Sequence, residues 1–262
     1  MTDQQDLLEA QPIAAFRDDI LNKGVVLLND PPLAEDERAV FCVLGTAGGG
    51  TTMTARLLEA AGIFMGGRRA GFNAEDPLFA QLLKAARPDA AAFRDLVARR
   101  NAAHRRWGFK APLRFHPELL SRIGNVRYVV VFRDPVAAGL RTVMSSGARP
   151  LRAMKIINAR QKLLFDFLAR SDRPTLILSY EKALTNPDEI ARALLSFTGT
   201  EKTAQHLAAM AAIVQPNEPT YVASQASRPA PVPEPEEAAV PDTRSPLRRR
   251  LSRLKTRVLR AL

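Results

Sequence analysis

Residues 39–62, AVFCVLGTAGGGTTMTARLLEAAG, decide the fold of this chain. The first six residues are apolar and include two valines, which predicts a buried parallel strand. A glycine-rich turn follows at 45–50. From Thr51 the apolar residues recur at helical spacing until Gly62, a residue type that commonly follows a helix end. Strand, glycine loop and helix in this order bring backbone N–H groups and a helix N-terminus to one point, which is a common way to bind a phosphate.

The loop has the pattern G-x-x-x-x-G-T-T, with Thr51 where loops that bind nucleoside triphosphates carry lysine. In those loops the lysine contacts the β- and γ-phosphates. Its absence favours a ligand with a single 5′ anionic group over a triphosphate. A glycine-rich turn that binds no ligand remains the alternative.

The composition is that of one globular α/β domain with tails. The chain has 262 residues, of which 46% are hydrophobic. The single cysteine, Cys42, lies in the first predicted strand, so we expect an inert core thiol and no internal disulfide. The first twelve residues lack the pattern of a signal peptide, and no apolar run is long enough to span a membrane. We therefore expect a reducing, cytoplasmic setting.

The formal net charge of +11 is concentrated at one end. Residues 243–262 hold eight of the 38 Lys and Arg side chains and no acid, and the 30 bases elsewhere nearly balance the 27 acids. Ser245 and Pro246 suit a helix start, and leucines recur on one stripe after them. This predicts a basic amphipathic helix over 245–262 that lies on the inner face of an anionic membrane. A disordered tail that binds any polyanion is the alternative.

The rest of the chain divides into three parts. Residues 1–38 are a polar lead-in, in which Val25–Leu28 is apolar and is expected to pack on the body. Residues 39–214 form an α/β domain, and 215–244 form a Pro-rich linker. Strands at 126–132 and 175–181 alternate with helices, which predicts βαβ units around a parallel sheet. We expect a three-layer P-loop-type α/β fold with a central parallel sheet.

Four motifs in order resemble the sulfotransferases that use 3′-phosphoadenosine 5′-phosphosulfate (PAPS), especially the bacterial carbohydrate-type branch. They are GTAGGGTT at 45–52, WGFKAP at 107–112, VRYVVVFRDP at 126–135 and SYEKALTNP at 179–187. The family carries G-x-P-[RK]-[ST]-G-T-T in its loop and R-[DN]-P after a later strand, with a serine eight residues beyond that arginine. The resemblance covers roughly 39–199 and implies PAPS as co-substrate, with no metal.

The resemblance also implies the roles of individual residues. Arg133 would pair with the 3′-phosphate of PAPS, because a guanidinium fork suits a phosphate. Tyr180 and Glu181 would support the sheet edge. The residues that would hold the 5′-phosphosulfate, by backbone N–H groups and hydroxyls, are Gly48, Gly49, Gly50, Thr51 and Thr52.

Two departures from the family pattern concern charge. The basic residue of the loop falls on Gly48, which has no side chain to replace it. The serine of the family falls on Arg141, which we expect to bind the 3′-phosphate in its place. For the charge missing at Gly48 we predict Lys110, with Arg56 as second choice. If neither cation reaches the loop, the chain binds the nucleotide poorly or not at all.

Transfer to a hydroxyl needs a general base, and four residues are candidates. Asp76 is better explained as a helix N-cap, so Glu75 is the predicted base. His104 and His116 lie among arginines and are expected to be surface residues.

Two functional classes remain from the sequence. The first is a sulfotransferase acting on a carbohydrate or glycolipid. The second is a non-catalytic relative that kept the fold and binds membrane or a partner. Specific nucleic-acid binding is not expected, because only 6% of residues are aromatic and the body has no basic stripe with interleaved aromatics.

Overall fold

This computed structural model describes residues 23–34, 36–66, 74–85, 87–111 and 116–214. The predictions for the start of the lead-in, for the linker at 215–244 and for the basic helix at 245–262 lie outside the described residues. The described residues hold five strands and nine helices.

A five-stranded sheet has the spatial order β1-β5-β4-β2-β3. Strands β2, β3, β4 and β5 are parallel, and β1 pairs antiparallel with β5 at one edge. The α/β fold with a central parallel sheet is therefore confirmed. The strands are β1 Val25–Leu28, β2 Ala39–Gly45, β3 Arg106–Lys110, β4 Val126–Phe132 and β5 Thr175–Ser179.

Helices cover both faces of the sheet, which gives three layers. The first face carries α1, α7, α8 and α9, and the second carries α2, α3, α4 and α6. Helix α5 packs against α6. The helices are α1 Thr51–Ala60, α2 Pro77–Lys84, α3 Ala90–Ala103, α4 Pro117–Leu120, α5 Pro135–Ser146, α6 Pro150–Leu168, α7 Tyr180–Thr185, α8 Pro187–Thr198 and α9 Ala204–Ile213.

Strand β2 lies at the centre of both cores because it is apolar on both faces. Phe41 and Val43 belong to one core, and Val40, Cys42 and Leu44 belong to the other. This alternation follows from the two-residue period of a strand. All seven residues of β2 are buried, so the loop that follows starts from a rigid position.

Local capping rules place most helix starts where the sequence predicts them. The carboxylates of Asp76 and Asp134 accept from backbone N–H groups of α2 and α5, each with proline in the first turn. Gly62, with φ +81°, follows the end of α1 as expected. These caps fix the residues at which the helices start or end, and they therefore position the neighbouring residues of the site.

Two predicted boundaries differ from the structure. The strand predicted over 175–181 ends at Ser179, because the Ser179 hydroxyl accepts from the N–H of Lys182 and starts α7. Val25–Leu28, inside the predicted lead-in, forms the edge strand β1. A run of four apolar residues is too short for its type to be predicted from periodicity.

Candidate active site

The glycine loop joins β2 to α1 at the carboxyl edge of the sheet. Gly48 and Gly50 have φ of +70° and +99°, a left-handed conformation that favours glycine. A Cβ at Gly50 would also clash with Cδ2 of Tyr180. The Gly49 N–H donates to the Thr46 carbonyl at 3.0 Å and closes the turn. The loop therefore needs glycine for both its conformation and its close packing.

The N-terminus of α1 is left without a side-chain cap. Among the helices that the structure describes, α1 alone has neither such a cap nor a proline in its first turn. The backbone N–H groups of a first helical turn have no intrahelical acceptors and carry partial positive charge. The loop therefore directs positive potential at the point where an anion would bind.

Two buried polar atoms beside the loop have no hydrogen-bond partner among the described residues. They are Oγ1 of Thr46 and Nε of Arg133. Thr46 lies against the turn, since a Cβ at Gly49 would be 2.8 Å from its hydroxyl. Other buried polar atoms in the described residues also have no hydrogen-bond partner, among them Nε of Arg100, Nε of Arg127 and the hydroxyl of Tyr128. The two atoms beside the loop are therefore no sign of a missing ligand by themselves.

Lys110 reaches the start of α1 from the neighbouring strand β3. It pairs in register with Val43 of β2, so its side chain leaves the sheet at the same edge as the loop. Its Nζ donates to Oγ1 of Thr52 at 3.1 Å and lies 3.3 Å from Oε1 of Glu75. The predicted cation and the predicted base are therefore in direct contact, next to the second residue of α1.

The electrostatic state of Lys110 depends on Glu75. Only 2% of the Lys110 side chain is exposed, compared with 21% of the Glu75 side chain. Burial lowers the pKa of Lys110, the ion pair with Glu75 partly restores it, and nearby Arg56 lowers it further. The Glu75 carboxylate therefore favours the charged form of the buried amine. Glu75 retains an exposed side toward solvent.

Arg133 is the first residue after β4, and its guanidinium turns toward the glycine loop. Its Nη1 donates to the Gly48 carbonyl at 2.9 Å, and its guanidinium carbon lies 4.3 Å from the centre of the Tyr180 ring. The Gln161 amide of α6 donates to the Arg133 carbonyl at 2.7 Å. Contacts from three elements therefore fix Arg133 against the loop.

Glu181 connects the start of α7 with the start of α5. Its carboxylate accepts from the N–H of Asp134 at 3.0 Å and lies 3.9 Å from Nε of Arg133. Tyr180 packs on Gly50, as described above. Both residues support the sheet edge, as the sequence predicts.

Arg141 packs on the loop from the side of α5. A Cβ at Gly48 would lie 3.3 Å from Cγ of Arg141 and 3.4 Å from its Cβ. The structure therefore brings Arg141, Arg133 and Gly48 together, and Lys110 and Glu75 together, at one edge of the sheet. Their roles toward a ligand stay predictions.

The other candidate bases have structural contacts. Asp76 caps α2 and forms an ion pair with Arg100. His104 stacks on Phe64 with ring centres 3.9 Å apart. The expectation that both histidines are surface residues is wrong for His116, which is buried with Nε2 3.2 Å from the Leu83 carbonyl. Cys42 is buried, and this burial raises the pKa of its thiol.

Sequence reasoning missed Gln161 and Thr46. Gln161 is the polar member of the buried face of α6, which otherwise holds Ala153, Ile157, Leu164, Phe167 and Leu168. A polar residue in an apolar stripe was the available signal. Thr46 had no signal, because its burial depends on the fold of the loop.

The described residues contain no group of three or more His, Cys, Asp or Glu side chains that could hold a metal ion. None of the described helices is both long enough and apolar enough to cross a membrane.

Comparison with known proteins gives weak likenesses. No protein-family model matches the chain, and no curated protein matches it. Two solved structures of retinol dehydratase, one with androsterone and inactive cofactor PAP and one with retinol and PAP, each give a TM-score of 0.42. They are 16% and 15% identical and cover 67% and 68% of this chain. The matches span 64% and 65% of the retinol dehydratase chains, and likenesses this weak carry no argument about function.

Proposed function

We propose that this chain is a PAPS-dependent sulfotransferase that transfers a sulfuryl group to a hydroxyl acceptor. The observation that carries the proposal is the Lys110 amine, 3.1 Å from the Thr52 hydroxyl at the start of α1. The glycine loop lacks its own cation, and Lys110 supplies one beside it. A buried lysine at the N-terminus of a helix that follows a glycine loop suits a ligand with a transferable anionic group.

The loop residues and Arg133 suit the two anionic ends of PAPS. Gly49, Gly50, Thr51 and Thr52 would hold the 5′-phosphosulfate through the uncapped first turn of α1. Arg133 would hold the 3′-phosphate, for which its guanidinium is already fixed at the loop. When bound, PAPS supplies a sulfuryl group activated by its anhydride bond to the 5′-phosphate.

Lys110 and Glu75 would act as a pair at the reacting end. The acceptor hydroxyl gives its proton to the Glu75 carboxylate, which has an exposed side for an acceptor to approach. Lys110 offsets the negative charge that develops on the departing 5′-phosphate oxygen. Arg56 adds positive potential nearby, as its effect on the Lys110 pKa indicates.

The proposed acceptor is a carbohydrate or a glycolipid. This part rests on the resemblance of the four motifs to the bacterial carbohydrate-type branch. The basic segment 245–262 would hold the enzyme on the inner, anionic face of a membrane in the cytoplasm, close to lipid-linked acceptors.

One observation favours a non-catalytic relative as the second candidate. Lys110 is almost fully buried and already contacts Thr52 and Glu75, an arrangement that also suits a structural ion pair. In that case the chain would keep the fold and bind membrane or a partner without transferring sulfate.

A transfer assay with matched variants separates the two candidates. Wild-type protein is incubated with ³⁵S-labelled PAPS and a panel of glycolipids and oligosaccharides. Arg133→Ala should weaken binding of adenosine 3′,5′-bisphosphate by about 1.5–3 kcal/mol, the usual contribution of a hydrogen bond to a charged group. Arg170→Ala, an exposed arginine just after α6, is the control and should change nothing. Absence of labelled product, with bisphosphate affinity unchanged in Arg133→Ala, would reject the proposal.

A further inference from the structure

We propose that Arg141 joins Lys110 in supplying the positive charge that the loop lacks at Gly48, and that Arg141 binds the 5′-phosphosulfate end of the nucleotide. This inference rests on the proposed function. It gives Arg141 a different role from the one implied by its alignment with the serine of the family, which would place it at the 3′-phosphate. It also links the two departures from the family pattern, because the arginine at position 141 would compensate for the glycine at position 48.

The packing of Arg141 on the loop carries the argument. Arg141 lies in the second turn of α5, and Ala138, one turn earlier, is fully buried. A Cβ at Gly48 would meet Cγ of Arg141 at 3.3 Å and the Ala138 carbonyl oxygen at 3.4 Å. The contact with Arg141 is tighter than ordinary van der Waals packing, and the contact with the Ala138 oxygen is at the limit of the ordinary range. The stem of Arg141 thus crowds the space into which a side chain at position 48 would project.

Backbone conformation gives a second reason for glycine at this position. Gly48 has φ +70°, a left-handed conformation that a lysine or arginine side chain at position 48 would have to adopt. An arginine on α5 supplies the charge without that cost. Its fork of donors suits an anionic phosphate or sulfate group.

Arg141 could bind either the 5′ end or the 3′-phosphate of the nucleotide, and ligands with a single phosphate distinguish these two roles. The probes are adenosine 5′-monophosphate and adenosine 3′-monophosphate, measured in competition against adenosine 3′,5′-bisphosphate so that weak binding can be read. Arg141→Met removes the charge but keeps an unbranched aliphatic stem against Gly48. We expect it to weaken the 5′-monophosphate about 10- to 100-fold and to leave the 3′-monophosphate unchanged. Arg170→Ala is again the control.

The reciprocal exchange tests the same idea by recovery. Gly48→Lys with Arg141→Ser returns the cation to the loop and removes the stem that blocks it. We expect this double variant to bind the 5′-monophosphate more tightly than Arg141→Ser alone, whereas Gly48→Lys alone, crowded by Arg141, should bind it less well than wild type. A thermal melt of each variant identifies any that do not fold.

Other results would overturn the inference in distinguishable ways. If Arg141→Met weakens only the 3′-monophosphate, or both monophosphates equally, Arg141 is not the 5′ ligand. If it weakens neither while Arg133→Ala weakens the bisphosphate, the nucleotide site stands and Arg141 is only a packing residue. If wild-type protein binds no adenosine phosphate, the proposed function fails and the inference fails with it.

Discussion

Replacing Lys110 by methionine removes the buried charge beside the loop and nearly keeps the size of the side chain. The amine contacts the Thr52 hydroxyl at 3.1 Å and the Glu75 carboxylate at 3.3 Å, and the substitution removes both interactions. Loss of one preorganised group that stabilises transition-state charge typically reduces kcat about 10²- to 10³-fold. We expect a reduction of that size in sulfuryl transfer.

The same substitution should affect stability much less. Removing one partner of a buried ion pair typically costs about 3–5 kcal/mol, and the cost here should be lower because about a fifth of the Glu75 side chain is exposed and can be hydrated. Against a typical total of about 5–15 kcal/mol, the variant stays folded. Loss of activity in Lys110→Met would therefore report on chemistry.

The assay compares transfer rates and urea unfolding of Lys110→Met with those of a matched control. Lys162→Met also removes a lysine–carboxylate pair, with Asp166 at 2.8 Å, but 75% of that lysine side chain is exposed. We expect the control to change stability by less than about 0.5 kcal/mol and to leave transfer unaffected. A Lys110→Met protein that transfers sulfate at the wild-type rate would refute the assignment of Lys110.

Three further predictions follow from contacts of the site. Gly50→Ala should destabilise the fold by about 1–3 kcal/mol and abolish nucleotide binding, because alanine would have to adopt a left-handed φ and its Cβ would clash with Tyr180. Denaturant unfolding measures the stability, and calorimetry measures the binding. The folded-state pKa of Lys110 lies below its unfolded value, so at a pH between these two pKa values the unfolded chain binds more protons than the folded chain. The free energy of unfolding of wild type, relative to that of Lys110→Met, should therefore rise with pH through that interval, which unfolding of both proteins at several pH values measures. Over the same interval kcat/KM of wild type should fall as the amine loses its charge, which kinetics of both proteins measure. Gln161→Ala should cost about 0.5–1.5 kcal/mol of stability and weaken bisphosphate binding less than Arg133→Ala does, since Gln161 holds only the Arg133 backbone.

Much of the fold could be predicted from rules that act within a few residues of the chain. Asp134 with Pro135, and Asp76 with Pro77, start helices because a short carboxylate and a fixed φ act within one turn. Strands β2, β4 and β5 were predictable because buried parallel strands are apolar on both faces, whereas the short edge strand β1 was not. The position of Lys110 near the loop was predictable too, since its segment is extended and ends at the edge where β2 ends.

The sequence could place segments at the same edge of the sheet, but it could not predict which atoms of distant segments meet there. Arg133 contacts the Gly48 carbonyl, 85 residues earlier, and the packing of Arg141 on Gly48 spans a similar separation. The burial of His116 depends on its approach to the Leu83 carbonyl. Periodicity and caps describe single elements, so they give no information on which side chains of different elements meet.

Calorimetric titration of the wild-type protein with adenosine 3′,5′-bisphosphate, alongside adenosine 5′-triphosphate, tests the central claim most directly. Arg133 and Lys110 beside the glycine loop predict saturable binding of the bisphosphate. The loop has threonine rather than lysine at position 51, which predicts much weaker binding of the triphosphate. Absence of binding heat with the bisphosphate, or preference for the triphosphate, would contradict the account.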